Sequence, residues 1–187
     1  MVSERRCLQG YDGDLLTELY APHEIQARVR DVADRLIARF RNERLRAVCV
    51  LRGAFMFFTD LVRFLQPLDV SVDFIGLSSY GDCRTSSGQV DVTGWFSLDV
   101  EDVNLLIVED IVDSGRSMQM LMQKLKGLPL KSCTLCTLID KKVNRCCEVN
   151  VDYACFSVDA GFLVGYGLDY AQKYRHLPGI FELTSAN

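Results

Sequence analysis

Long hydrophobic runs are missing from this 187-residue chain. No apolar stretch approaches the ~20 residues that span a bilayer. The opening Met1-Val2-Ser3-Glu4-Arg5-Arg6 has no apolar core of the signal-peptide kind, so a cytoplasmic protein with no membrane partner is expected. The final Ser185-Ala186-Asn187 matches no sorting address. A basic surplus is missing too: 21 Lys and Arg stand against 25 Asp and Glu, for a formal net charge of -4. That balance excludes a general binder of nucleic acid or of membrane surfaces. Neither G-x-x-x-x-G-K-S/T nor a G-x-G-x-x-G after a strand occurs, which removes two phosphate loops. No repeat, low-complexity tract or linker divides the sequence, so one domain spanning 1–187 is expected.

Cysteine, by contrast, is abundant, with eight residues. They are scattered through predicted strands and helices and form no loop framework of the secreted kind, which points to reduced thiols. Cys133-x-x-Cys136 and the adjacent Cys146-Cys147 invite a zinc reading. Cys133 to Cys136 lies in a strand-like run, however, where residues three apart face opposite ways. A zinc knuckle needs a turn there. The thiols are expected to serve as small hydrophobes.

One stretch organises the rest. Val103-Asn104-Leu105-Leu106-Ile107-Val108 is an apolar run of strand length, read as buried on both faces, as in a parallel sheet under helices. It breaks on Glu109-Asp110 and passes through Asp113-Ser114-Gly115 into a helix beginning near Ser117. Ligands of such sheets gather outside the carboxyl ends of the strands, where Glu109 to Ser117 would lie. The small, hydroxylated residues of 113–117 let backbone N–H groups converge on an anion, with the Ser114 and Ser117 hydroxyls as further donors. Two carboxylates beside a phosphate would repel it. Glu109 and Asp110 therefore need sugar hydroxyls, a divalent cation, or both. Phosphate, diol and metal together describe a phosphorylated ribose.

The flanking sequence repeats a strand, turn and helix rhythm. Residues 15–20 read as a short strand. Pro22 opens a helix with Glu24 near its positive end, and Ile25, Val29, Val32, Ala33, Leu36, Ile37 and Phe40 recur at helical spacing. His23 is a solvated first-turn residue. A strand at 46–51 ends in Arg52-Gly53, and the helix of 54–64 offers Phe55, Phe58, Leu61, Val62 and Leu65 to the core. Residues 69–79 form the next strand, with Phe74, Ile75 and Leu77 read as core. The Gly- and Ser-rich 79–89 is predicted to be a lid. Residues 90–98, with Trp95, read as a hairpin arm or more loop. Met118, Leu121, Met122 and Leu125 give the central helix its apolar face. Further strands are predicted at 135–139, 153–158, 163–168 and 180–183.

Five strings carry a family resemblance: Leu51-Arg52-Gly53-Ala54-Phe55-Met56-Phe57, Ser78-Ser79-Tyr80-Gly81, residues 106–115, Leu138-Ile139-Asp140-Lys141, and residues 164–178. Over about residues 20–183 the chain resembles the type I phosphoribosyltransferases, most closely their hypoxanthine-guanine branch. The resemblance implies an α/β fold, a mainly parallel twisted sheet flanked by helices with a small hood subdomain. The core would cover about 25–140, and the hood about 12–24 plus 141–187. It implies transfer of a 5-phosphoribosyl group from 5-phospho-α-D-ribose 1-diphosphate to hypoxanthine or guanine with Mg2+, by a homodimer or homotetramer. A xanthine-preferring enzyme and a regulatory, non-catalytic relative are the alternative readings. A regulator could dispense with Lys141, Phe162 and Asp169.

The resemblance also implies roles. Glu109, Asp110, Asp113, Ser114, Gly115, Arg116 and Ser117 correspond to phosphoribosyl-binding positions, and Asp113 to the general base that takes the purine N7 proton. Leu51, Arg52, Gly53 and Arg175 correspond to pyrophosphate contacts, with the Leu51–Arg52 peptide expected cis. Ser79 and Tyr80 stand at the base of the lid. Lys141 would donate to the purine O6 and reject adenine, whose exocyclic amine is itself a donor. Phe162 would stack on the base, while the backbone of Leu163 and Asp169 reads its other edge. Glu109, Asp110 and Asp169 supply the carboxylates expected around the metal. His176 reads as a structural neighbour of Arg175. Cys83, Trp95, the Arg116 side chain and residues 143–147 match no role.

Overall fold

A computed structural model describes residues 6–79, 90–93 and 101–184 of the chain. Tyr80 and the rest of the predicted lid to Gln89, with Cys83, and Trp95 lie outside the described residues. The elements run β1 (Cys7–Gln9), β2 (Leu15–Tyr20), α1 (Pro22–Phe40), β3 (Arg44–Leu51), α2 (Phe55–Phe64), β4 (Asp69–Ser79) and β5 (Val90–Thr93). They continue with β6 (Asn104–Val112), α3 (Arg116–Leu125), β7 (Ser132–Lys141), β8 (Tyr153–Val158), β9 (Leu163–Val164) and β10 (Ile180–Thr184).

The larger sheet has the order β5-β4-β3-β6-β7-β8. Its strands β4, β3, β6, β7 and β8 pair in parallel, and β5 closes one edge antiparallel to β4. β6 is central because its side chains suit two apolar layers at once. Leu106 and Val108 face one way, into a core shared with Ile25, Val29 and Leu36 of α1 and with Phe57, Phe58 and Leu61 of α2. Leu105 and Ile107 face the other way, against Met118, Leu121 and Leu125 of α3. Period-two alternation on a strand clothed by helices on both sides gives the doubly covered α/β sheet that was expected. Pro22 stands in the first turn of α1, and the Glu24 carboxylate accepts from Ala21 N–H at 2.8 Å, so the helix starts where the proline fixes it. Among the described residues, no helix is long and apolar enough to cross a membrane.

Two core expectations change. Phe74 is half exposed, as is Val72 two residues before it. Both sit towards the rim of the sheet, where α2 reaches only the edge of the Phe74 ring, through Phe58 at 5.6 Å. Phe57 is fully buried, whereas Phe55 is only partly so. The inward stripe at helical spacing runs through Ala54, Phe57, Phe58, Leu61 and Leu65, which leaves Phe55 at its flank.

A second, smaller sheet has the order β1-β2-β10-β9. Leu16, Val164, Tyr174, Phe181 and Leu183 form its own core. β8 pairs with β7 and so belongs to the larger sheet. It lies within the 141–187 span read as hood, yet its Cys155 and Phe156 bury against the main core. Of the span predicted as strand at 163–168, only Leu163 and Val164 pair in the sheet, and Gly165 and Leu168 close a turn.

Candidate active site

A cavity of about 370 Å³ lies over the carboxyl ends of β3 and β6. Three turns wall it. The first, 113–117, leads from β6 into α3. Gly115 takes a φ of +82°, and a Cβ there would sit 2.9 Å from Arg145 Cδ. The first bond within α3 runs from Gln119 N–H to the Gly115 carbonyl. The N–H groups of Ser117 and Met118, both at the cavity wall, therefore have no carbonyl inside the helix to meet. This is the polarity an anion needs.

The second turn ends β3. Its Leu51–Arg52 peptide is cis, as expected. A Cβ on Gly53 would overlap the Asp110 carboxylate, so the turn and the acidic pair are fitted to one another. The third turn is the irregular 165–175 loop, in which Tyr166, Ala171, Gln172 and Tyr174 hold positive φ. A Cβ on Gly167 would overlap the Gly53 carbonyl, which seats this loop directly on the second turn. It brings Asp169 and Arg175 into the wall. Arg175 donates to Asp169 Oδ1 at 2.6 Å and to the Gly167 carbonyl at 2.7 Å. Gln172 Oε1 accepts from both Arg52 and Arg175, at 3.3 and 3.2 Å. Sequence reading missed Gln172, because its partners are set by the loop's path and by no local pattern.

Glu109 and Asp110 stand between these turns. Burial holds the Glu109 carboxyl well above the ordinary carboxylate range, and the neighbouring Asp110 charge adds to the shift. Glu109 accepts from Asp110 N–H at 3.1 Å, and Asp110 from Ile111 N–H at 2.7 Å. Beneath them the buried Cys49 thiol is pushed up to about 12, mostly by burial and then by these two charges. Glu109, Asp110 and Asp169 line one cavity, but no group of three or more Asp, Glu, His or Cys among the described residues closes on a point as a metal cage does.

Beside the cavity, the buried Lys141 ends β7. Its ammonium donates to Asp113 Oδ2 at 3.2 Å and to the Gly161 carbonyl at 3.0 Å. One of its three protons is left for a ligand. Asp113 Oδ1 is buried without a hydrogen-bond partner among the described residues. Phe162 follows Gly161, half exposed and edge-on to Tyr170 at 5.5 Å. Leu163 is buried in the main core.

Residues 16–171 match the phosphoribosyl transferase domain. The chain belongs to this family. The phosphoribosyltransferase is 40% identical over 159 residues to the hypoxanthine phosphoribosyltransferase of Escherichia coli K12, covering 84% of this chain and 89% of the relative. It is 36% identical over 173 residues to the hypoxanthine-guanine phosphoribosyltransferase of Bacillus subtilis, covering 92% and 96%. Among solved structures, a mutant hypoxanthine phosphoribosyltransferase of Trypanosoma cruzi, in a ternary substrates complex, superposes with a TM-score of 0.84 at 35% identity over 89% of this chain and 94% of that one. These relatives are enzymes of purine salvage.

Within the phosphoribosyltransferase, two residues stand differently from their sequence reading. Arg116, grouped with the phosphoribosyl contacts, does not line the cavity. Its Nε donates to Cys146 Sγ at 3.3 Å. Arg145, assigned no role, ties the site together. It donates to the carbonyls of Asp113 and Val112 at 3.0 and 2.9 Å, to the Lys141 carbonyl at 3.3 Å, and to the Asp140 carboxylate. One guanidinium thus clamps the carboxyl ends of β6 and β7, and with them Asp113 and Lys141. Ser79 ends β4, and Tyr80 lies outside the described residues.

Proposed function

We propose that this phosphoribosyltransferase moves the 5-phosphoribosyl group of 5-phospho-α-D-ribose 1-diphosphate to N9 of hypoxanthine or guanine. The observation that carries the reading is the Lys141–Asp113 pair, 3.2 Å apart beside the anion turn. A 6-oxopurine presents O6 and N7 side by side. Lys141 donates its remaining proton to O6, and the unpartnered Oδ1 of Asp113 takes the proton of N7 as N9 attacks the anomeric carbon. Adenine would set its amine against the ammonium and leave both donors unpaired. The 5-phosphate sits on the 113–117 turn, with Ser114 and Ser117 as added donors. Glu109 and Asp110 accept the ribose hydroxyls. Arg52 and Arg175, held in register by Gln172, receive the leaving diphosphate. Phe162 covers a face of the base, and the backbone of Leu163 and Asp169 meets its far edge.

Magnesium fits this donor set. Hard carboxylates at Glu109, Asp110 and Asp169 line the cavity with no complete protein cage among the described residues, and this ion keeps water and substrate oxygens in its shell. Glu109, Asp110 and Asp169 would hold it, and it would supply positive charge to offset the negative charge of the diphosphate. Cytoplasmic location and assembly as a homodimer or homotetramer belong to the same reading, and the exposed Val72 and Phe74 support self-association.

The test is a spectrophotometric assay of hypoxanthine, guanine, xanthine and adenine with 5-phosphoribosyl 1-diphosphate and magnesium. Turnover of hypoxanthine or guanine with adenine silent is expected. Xanthine as the sole good acceptor, or silence with all four, would overturn the assignment.

A further inference from the structure

Residues 143–147 stand outside the chemistry above, yet they carry two adjacent thiols at the back of the anion turn. Cys146 is exposed and Cys147 partly so, and their sulfurs lie 3.7 Å apart. The contacts of this pair lead to residues 113–116. Cys146 N–H donates to the Ser114 carbonyl at 3.1 Å, and its Sγ lies 3.4 Å from the same oxygen. Arg116 Nε donates to Cys146 Sγ at 3.3 Å. The Cys147 carbonyl stands 3.4 Å from the place a Cβ on Gly115 would occupy, and Arg145, one residue before Cys146, holds the Asp113 carbonyl.

We propose that Cys146 and Cys147 form a thiol–disulfide site, oxidised by a hydroperoxide, whose closure loosens the anion turn. The two sulfurs are unequal. Arg116 beside Cys146 pulls that thiol below its ordinary value, while burial and the Cys146 charge push Cys147 up. Cys146 is the attacking thiolate and Cys147 the resolving thiol. In the first step Cys146 sulfur attacks one peroxide oxygen. The S–O bond forms, the O–O bond breaks, and the departing alkoxide or hydroxide takes up a proton. The sulfur loses two electrons to the peroxide and becomes a sulfenic acid. In the second step Cys147 sulfur attacks Cys146 sulfur. The S–S bond forms, the S–O bond breaks, and the hydroxide leaves with the Cys147 proton as water. A dithiol reverses the oxidation by exchange.

Closure cannot leave the backbone in place. Neighbouring α-carbons are about 3.8 Å apart across a trans peptide, whereas disulfide-bonded ones usually stand roughly 4.4–6.8 Å apart. No turn of the peptide widens that spacing, so the ring closes only when the backbone torsions on either side of it and the two side chains rearrange. That movement pulls the Cys146 N–H and Sγ from Ser114 and Arg116, the residues that flank Gly115. The thiol pair thus senses oxidant on the outer side of a wall whose inner side faces the ligand.

The test uses the full-length protein treated with hydrogen peroxide and then with dithiothreitol. Peptide mass spectrometry should find the Cys146–Cys147 disulfide, and Cys147→Ser should stop at a sulfenic acid on Cys146 that dimedone traps. Neither readout depends on the proposed reaction. The affinity for 5-phosphoribosyl 1-diphosphate, read by calorimetry, rests on that reaction. It should weaken by about tenfold on oxidation, as expected for one or two lost hydrogen bonds, and recover with dithiothreitol. Cys146→Ser should bind as the reduced protein does and ignore peroxide. Absence of the disulfide while other cysteines oxidise would overturn the proposal, as would a closed disulfide with unchanged affinity. A chain that fails to bind the sugar diphosphate even when reduced, yet forms the disulfide, would overturn the proposed function and the loosening of a ligand site together, and keep the thiol chemistry.

Discussion

The two sides of the cavity are built by opposite means. One side, Glu109 to Ser117, proposed to hold the sugar phosphate, is one unbroken stretch at a strand-to-helix junction, and its geometry follows from regular elements. The other, proposed to hold the base and the leaving diphosphate, draws Lys141 from the end of β7, Gly161 and Phe162 from a separate turn, and Asp169 and Arg175 from a loop with positive φ at Tyr166, Ala171, Gln172 and Tyr174. A junction of regular elements supplies N–H groups at fixed positions. Under the proposed function the second side reads one base against another, with donors and acceptors at spacings that no helix or strand supplies, and backbone strain is tolerated there. Arg145 joins the two sides by holding the carbonyls of Asp113 and Lys141 at once.

Four substitutions, with a fifth as control, probe that division. The largest effect is expected at Asp113→Asn, which keeps shape and removes the proton acceptor. Turnover should fall by about 10²–10⁴-fold, while dissociation constants for 5-phosphoribosyl 1-diphosphate should stay within about threefold. Equal losses in steady-state turnover and in calorimetric affinity would show Asp113 to be a binding residue only. Next is Lys141→Ala, which removes the donor proposed for the purine O6. The ratio of kcat/KM for hypoxanthine over adenine should drop by about tenfold or more, since a buried donor no longer rejects the amine. An unchanged ratio would remove Lys141 from base selection.

Gly115→Ala comes third and acts on the phosphate side. Its φ of +82° and the 2.9 Å approach to Arg145 Cδ predict a loss of about 1–2 kcal/mol in urea unfolding. Gly127→Ala, with nothing within 4 Å of the added carbon, is the control and should be near neutral. Similar costs at both sites would mean that Gly115 is not constrained. The smallest effect is a slope. In the unfolded chain Glu109 titrates near 4.5, and in the folded protein burial holds its proton to higher pH. Between those values the folded state binds more protons, so the ligand-free protein loses stability as pH rises. Glu109→Gln should flatten that fall in thermal melts taken from about pH 4.5 upward. Parallel curves for the two proteins would place the strain elsewhere.

The same division explains what the sequence disclosed. Leu105 to Val108 could be read as buried on both faces because alternation on a strand and covering helices leave one arrangement. The cis peptide at Leu51–Arg52 was implied by the family resemblance, whereas the cavity at Glu109 to Ser117 followed from an apolar strand that breaks on two carboxylates before a turn of small residues. Phe74 read as core and is half exposed, because hydrophobicity does not tell how far α2 extends over β4. β8 was placed with the hood and pairs with β7, since a short strand carries no mark of its partner. Arg116 lay within the motif and points out of the cavity. Arg145 and Gln172 lay outside every role drawn from the motifs and hold the site's backbone and arginines. Their contacts span loops, and loop paths leave no periodic trace.

One phenol has a reach beyond its own sheet. Tyr174 OH donates to Asp14 Oδ2 and accepts from Tyr11 N–H, each at 2.7 Å, and it sits in the loop that carries Asp169 and Arg175. The turn at residues 11–14 is therefore a guy-rope for the wall that carries Asp169 and Arg175. A protease that clips near Tyr11 would slacken that wall from a distance and leave the strand-to-helix turn on the opposite bank intact.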